Sequence, residues 1–172
     1  MMLRRLALAS VLLIASSSAP AMAGTAGTNL TVSATVGATC SISTTALTFA
    51  IYSTTVPNDA TASVITNCTS GLVGAKVTFG QGQYADTTGG STDAAPIRRL
   101  SDGSTTPNYL TYNLYSDAGR GIVWGNTPAT GVVIPTATGS NQTTSIYGRI
   151  DANQTTAPAG NYSDTVVATV TY

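Results

Sequence analysis

The stretch "GTNLTVSATVGATC", residues 27–40, decides how the rest of the chain is read. Leu30, Val32, Ala34 and Val36 share one parity; Asn29, Thr31, Ser33 and Thr35 share the other. A period of two marks a β-strand with one apolar and one wet face. The stretch begins a few residues after a segment of a different kind. "MMLRR" is short and basic, "LALASVLLIA" is an apolar run of secretory length, and "AMA" at 21–23 fits the small-x-small pattern of a signal-peptidase site. Residues 1–23 therefore read as a Sec signal peptide cleaved before Gly24, and the strand-like stretch stands at the head of the mature chain.

Outward from that point the chain is one domain of β composition. Glu and His are absent, Lys76 is the single lysine, and charged residues make up 8% of the sequence. Helix-forming surface residues are scarce, while Thr and Val recur in short alternating runs. A mean hydropathy of +0.18 argues against disorder. Without Arg4 and Arg5, five basic residues face seven acidic ones, a net charge of about −2. There is no basic run, so no nucleic-acid partner is expected. Cys40 and Cys68 are the only cysteines. In an exported chain an even pair predicts a disulfide, which stabilises a loop of this size by about 3–4 kcal/mol. A thiolate metal site lacks the histidines that usually complete it.

Further strands are expected within 39–52, 61–68, 74–80, 97–100, 109–117, 122–126, 143–150 and 161–172. Pro57, Asn58 and Asp59 read as a break, residues 81–96 as a long loop, and "GVVIPT" at 131–136 as an edge strand because Pro135 cannot donate to a central ladder. Many short strands in about 150 residues predict a β-sandwich of immunoglobulin type.

Catalytic chemistry is poorly supplied. Without His, neither a Ser–His–Asp nor a Cys–His site can be assembled. Asp59, Asp86, Asp93 and Asp102 lie in turn contexts, where Asp serves the backbone. The "SDGSTTPN" segment lacks the ligand series of an EF-hand and reads as a turn. Of Arg98 and Arg99, one is expected at the surface and the other paired with an Asp. Tyr109, Tyr112, Tyr115 and Trp124 are expected in the core or in cross-strand pairs rather than as a sugar platform. The chain is accordingly not read as an enzyme, and no cofactor or metal is expected.

Several segments together resemble the spore coat protein U family, whose members include pilins of archaic chaperone–usher pathways. They are "TCSISTTALTF" (39–49), Asn67-Cys68, "RRL" (98–100), "YNLYSDAGRGIVWG" (112–125), "IYGRI" (146–150) and "PAGNYSDTVVATVTY" (158–172). The resemblance implies an incomplete immunoglobulin-like β-sandwich, all-β, completed by a donor strand from another molecule. It divides the chain into a signal peptide (1–23), an N-terminal donor-strand segment (24–38) and a pilin domain (39–172). Leu30, Val32, Ala34 and Val36 are the implied donor residues. The acceptor groove is assigned to Ile42, Leu47 and Phe49 on one wall and to Val166, Ala168, Val170 and Tyr172, taken as inward-facing, on the other. The implied partners are identical or related pilin subunits, a periplasmic chaperone and an outer-membrane usher. The implied location is the periplasm and then a surface pilus used in adhesion and biofilm formation. The alternative is a self-contained secreted envelope or spore-coat binding module.

Overall fold

A computed structural model describes residues 22–172; the expected signal peptide, save its last two residues, lies outside the described residues. The chain divides into two units, Met1–Thr35 and Val36–Tyr172. In the first, residues 22–35 form no strand and are exposed throughout. The alternation of residues 29–36 thus does not produce a strand within the chain. A strand exists only as one side of a ladder, and this stretch has no ladder partner among the described residues.

The second unit is all-β. β1 (Cys40–Thr44), β2 (Asn58–Cys68), β7 (Gln142–Ile150), β5 (Tyr109–Tyr115) and β4 (Arg98–Ser101) form a five-stranded antiparallel sheet in the order β1-β2-β7-β5-β4. β6 (Val132–Val133), β3 (Lys76–Phe79) and β8 (Ala168–Thr171) form a three-stranded sheet in the order β6-β3-β8. Alternation explains which faces meet. Ala62, Val64, Thr66 and Cys68 on β2, Leu110, Tyr112 and Leu114 on β5, and Ile146 and Ile150 on β7 are buried, while the residues between them are less so. Val77 and Phe79 meet them from the smaller sheet, and Trp124, Ile134 and Ala137 join from the connecting loops. β6 is an edge strand, as Pro135 requires.

Three expectations are corrected. Asn58 and Asp59 belong to β2 rather than to a break, and only Pro57 stays outside. Asp59 stands opposite Arg149 of β7 and accepts two hydrogen bonds from it, at 2.7 and 2.8 Å, so the turn-forming residue is held in a ladder by a bidentate ion pair. That bond keeps the Asp59 carboxyl below its ordinary pKa. The C-terminal strand is shorter than its alternation suggests. Residues 161–167 run extended but change sheets: Ser163 exchanges two 2.9 Å hydrogen bonds with Ser101 of β4, and Val167 O accepts from Gly80 N beyond β3. Finally, Arg98 is not at the surface. Arg99 makes the expected pair, 3.4 Å from Asp86, and its guanidinium lies 4.1 Å over the Tyr109 ring.

Arg98 is fully buried. Its guanidinium donates to Gly80 O (2.9 Å), Phe79 O (2.9 Å), Trp124 O (2.8 Å) and Asn113 Oδ1 (3.0 Å). It thus ties β4 and β5 of one sheet to the end of β3 in the other and to the Trp124 loop. Burial lowers its pKa to about 10, which still leaves it charged at neutral pH. Trp124 completes the junction: its Nε1 donates to Val77 O at 2.8 Å, and its ring meets Phe79 edge-on at 4.8 Å. The Asp102 turn is likewise built from hydrogen bonds. The carboxylate accepts from Asn108 Nδ2 (2.8 Å), from Ser104 N and Asn108 N (3.1 Å each) and from Ser104 Oγ (2.8 Å).

Two measurements check this account. Arg98→Met removes the shared donor and strands several carbonyls, so it should destabilise the domain by about 3 kcal/mol; thermal unfolding should shift down by roughly 6–12 °C. The Asp102 bonds, Asn108 foremost, lower its pKa to about 2. A depressed carboxylate contributes stability above its unfolded pKa of about 4 and loses it as pH falls through 2. The Tm of Asp102→Ala should therefore converge on the parent's as pH drops from 5 to 2, across the range set by those two values.

Candidate functional site

Four strands end their sheets, β1 and β4 in the larger and β6 and β8 in the smaller. β1 pairs with β2 alone and β8 pairs with β3 alone, so each ends its sheet. The end of β1 and the segment after it face the segment before β8 across one cleft, of about 260 Å³. Thr44, Thr45, Leu47 and Phe49 form one wall and Asp164, Thr165 and Val166 the other. The floor is the core itself: Ala62, Phe79, Leu100, Tyr112, Leu114 and Ile146. The cleft thus sets an apolar floor between two backbone segments, where alternate side chains of an extended peptide would find pockets.

Local sequence explains the first wall. Thr45 stays bound to β2, its N donating to Ser63 O at 2.9 Å and its Oγ1 accepting from Ser63 N at 2.9 Å. Beyond it the chain leaves the ladder, and Leu47 and Phe49 lean over Gly148 of β7. A Cβ at Gly148 would stand 2.6 Å from Leu47 Cδ2 and 2.9 Å from Phe49 Cζ, so any side chain here displaces both. Asn58 Nδ2 holds the segment from behind through Ala50 O at 2.7 Å. The second wall is anchored by Asp164. Its carboxylate accepts from Tyr112 Oη (2.8 Å), Gln83 N (2.9 Å) and Thr165 N (2.8 Å). Burial, reinforced by Asp164, pushes the Tyr112 hydroxyl far above its ordinary pKa, so it remains a donor at any physiological pH.

The sequence-assigned residues fall as follows. Cys40 and Cys68 form the disulfide, directly opposite each other on β1 and β2 with Cα atoms 4.1 Å apart. Leu47, Phe49 and Val166 line the cleft; Ile42, Ala168 and Val170 are half-buried against the core beside it. Tyr172 does not face inward. It lies one residue beyond the last β8 ladder position, is 57% exposed, and borders a separate hollow with Lys76, Thr169 and Thr171, because no ladder enforces alternation past Thr171. Leu30, Val32, Ala34 and Val36 are exposed, and Leu30 is 86% so. The floor residues escaped the reading of the sequence as site residues. Leu110, Tyr112 and Leu114 share one parity, but alternation cannot show which face is buried or that part of it borders an opening. Asp164 carried no signal at all.

The all-β unit thus carries two sheets and one apolar cleft between the segment after β1 and the segment before β8. The chain belongs to the Spore Coat Protein U domain family, whose pattern matches residues 26–169. It is 41% identical over 164 residues to Protein U of Myxococcus xanthus, across 89% of this chain and 88% of that one. Its fold is similar to that of a chain in the crystal structure of the CsuC–CsuE chaperone–tip adhesion subunit pre-assembly complex, from archaic chaperone–usher Csu pili of Acinetobacter baumannii. The TM-score is 0.53 at 19% identity, and the match covers 80% of this chain but 40% of that one.

Gly148→Val should push Leu47 and Phe49 out of place and narrow the cleft. Such overpacking costs about 1–3 kcal/mol. The expected readouts are a lower Tm and loss of the Leu47 and Phe49 contacts to β7 in nuclear Overhauser spectra, with the Cys40–Cys68 disulfide intact.

Proposed function

We propose that the chain is a structural, non-enzymatic pilus subunit, exported through the Sec route to the periplasm and polymerised at the cell surface by donor-strand exchange. The observation that carries this reading is the pairing of two features: an apolar cleft beside two sheet-ending strands, and an exposed leading segment whose four apolar residues alternate. The segment, residues 24–38, supplies the donor; residues 39–172 supply the acceptor. Leu30, Val32, Ala34 and Val36 of one copy enter the cleft of the next, between Ile42, Leu47 and Phe49 on one side and Val166, Ala168 and Val170 on the other. Burying Leu30, Val32 and Val36 contributes about 1.5–3 kcal/mol each, and the two edges gain ladder hydrogen bonds that they otherwise lack.

Until a neighbour arrives, the open cleft is an aggregation hazard. A periplasmic chaperone that lends a strand, and an outer-membrane usher that replaces it, meet that need. The similarity to a chain from a chaperone–subunit complex supports this partner class. Attachment to surfaces and biofilm formation are the roles that follow for such a polymer. A coat or envelope component that acts without polymerising is the second reading, favoured by the description of the family as Spore Coat Protein U.

The two readings part on one experiment. The mature chain from Gly24, refolded without a chaperone, should form ladders that resist mild SDS, and deletion of residues 24–36 should abolish them. A truncated chain that stays monomeric with an unchanged Tm, beside a parent that never polymerises, would overturn the donor-strand reading in favour of a self-contained module.

A further inference from the structure

Away from the cleft, two tyrosines and an arginine form a cluster that the proposed exchange does not use. The Tyr84 and Tyr109 rings lie 6.3 Å apart, centre to centre, and are tilted by 51°. Tyr84 comes from the long loop between β3 and β4, and Tyr109 opens β5. Both are half-buried. Among the described residues they are the one pair of tyrosine rings in contact.

Arg99 builds the pair. It stands opposite Thr111 of β5, diagonal to Tyr109 on the same face. The face of its guanidinium covers the Tyr109 ring, 4.1 Å from the ring centre. The edge of the same group holds the loop backbone. Nε donates to Tyr84 O at 2.9 Å, Nη2 donates to Ala85 O at 3.2 Å, and Nη1 lies 3.4 Å from Asp86 Oδ1. One planar cation thereby fixes where both tyrosines stand. Their hydroxyls have no hydrogen-bond partner among the described residues. The hydroxyls of Tyr52, Tyr112 and Tyr162, by contrast, donate to Asp151 O, Asp164 Oδ2 and Pro158 O. The Tyr84 and Tyr109 phenols can therefore give their protons to water without breaking a bond in the protein.

Two half-exposed phenols held ring to ring are arranged for oxidative coupling. We propose that Tyr84 and Tyr109 are a dityrosine cross-linking site, coupled by a one-electron oxidant of the class of hydrogen peroxide acting through a peroxidase. Each phenol loses one electron and its hydroxyl proton and becomes a phenoxyl radical. The radicals join by a carbon–carbon bond between ring positions next to the hydroxyls, and the hydrogen on each joined carbon moves to its oxygen. One peroxide takes up the two electrons and two protons and leaves as two waters. The rings of such a biaryl are twisted out of one plane, as these two already are.

The bond has a place to act. Gln83, beside Tyr84, donates its N–H to Asp164 Oδ1 at 2.9 Å and to Thr165 O at 3.0 Å, and both acceptors belong to the second wall of the cleft. A link from Tyr84 to Tyr109 ties that wall to β5 through a bond that thiol reductants do not open. The inference stands apart from donor-strand exchange and holds whether or not the chain polymerises.

The test treats four dilute mature chains, the parent, Tyr84→Phe, Tyr109→Phe and Tyr172→Phe, with peroxidase and hydrogen peroxide. Boiling in SDS then leaves only covalent oligomers beside monomer, and dityrosine fluorescence and peptide masses are read on the monomer. The parent and Tyr172→Phe should fluoresce alike. Both should yield a linked pair of peptides containing Tyr84 and Tyr109, two hydrogens lighter than their sum. Tyr84→Phe and Tyr109→Phe should each lower the monomer signal at least about tenfold, the advantage of a held pair over chance encounter. The cross-linked chain should also unfold at a higher temperature than the untreated one, as closing a loop of about 25 residues requires. Dityrosine confined to covalent oligomers refutes the site, as does a signal unchanged in both phenylalanine variants. Linked peptides from Tyr115 and Tyr147, which stand opposite each other on β5 and β7, refute it as well. A cross-linked chain with an unchanged Tm refutes its role as a brace.

Discussion

The structure depends on an unpaired edge. β1 and β8 each have one hydrogen-bonded neighbour, and the segments that follow β1 and precede β8 wall one cleft. Backbone N–H and C=O groups are obligatory hydrogen-bonding groups, and an apolar floor beside them cannot satisfy them. Two requirements, a ladder partner and a dry cover for the floor, therefore coincide in one place. A single extended segment with alternating apolar residues meets both, and it is hard to name another element of secondary structure that does.

Keeping that cleft open demands rigidity around it. Arg98 gives it from below. A buried guanidinium with four oxygen acceptors joins β4, β5, the end of β3 and the Trp124 loop, so that the two sheets are fixed to each other although the cleft interrupts the contact between them. An apolar residue at this position fills space but does not satisfy the carbonyls of Phe79, Gly80 and Trp124. Asp164 acts similarly on the wall, holding the point where the C-terminal segment passes from β4 toward β3 through Tyr112 and Gln83. Gly148 contributes by absence: the missing side chain is the space that Leu47 and Phe49 occupy.

Composition, alternation and the two cysteines were enough to specify an all-β sandwich, its disulfide, the alternation of its strands and an amphipathic leading segment. These are local properties: a period of two states which side of a strand is apolar, wherever that strand goes. The sequence also marked Leu47, Phe49 and Val166 as apolar in the right places. It could not place Asn58 and Asp59 in a ladder, because their turn preference is overridden by Arg149, which lies far along the chain and meets Asp59 only across β2 and β7. Nor could it bury Arg98, whose acceptors come from three separate segments, or turn Tyr172 outward, since the ladder that orients side chains stops at Thr171. Which strands lack a neighbour is likewise a fact of sheet order. Local pattern dictated the strands and their faces; only the tertiary structure, by deciding which backbone edges remain without partners, located the cleft.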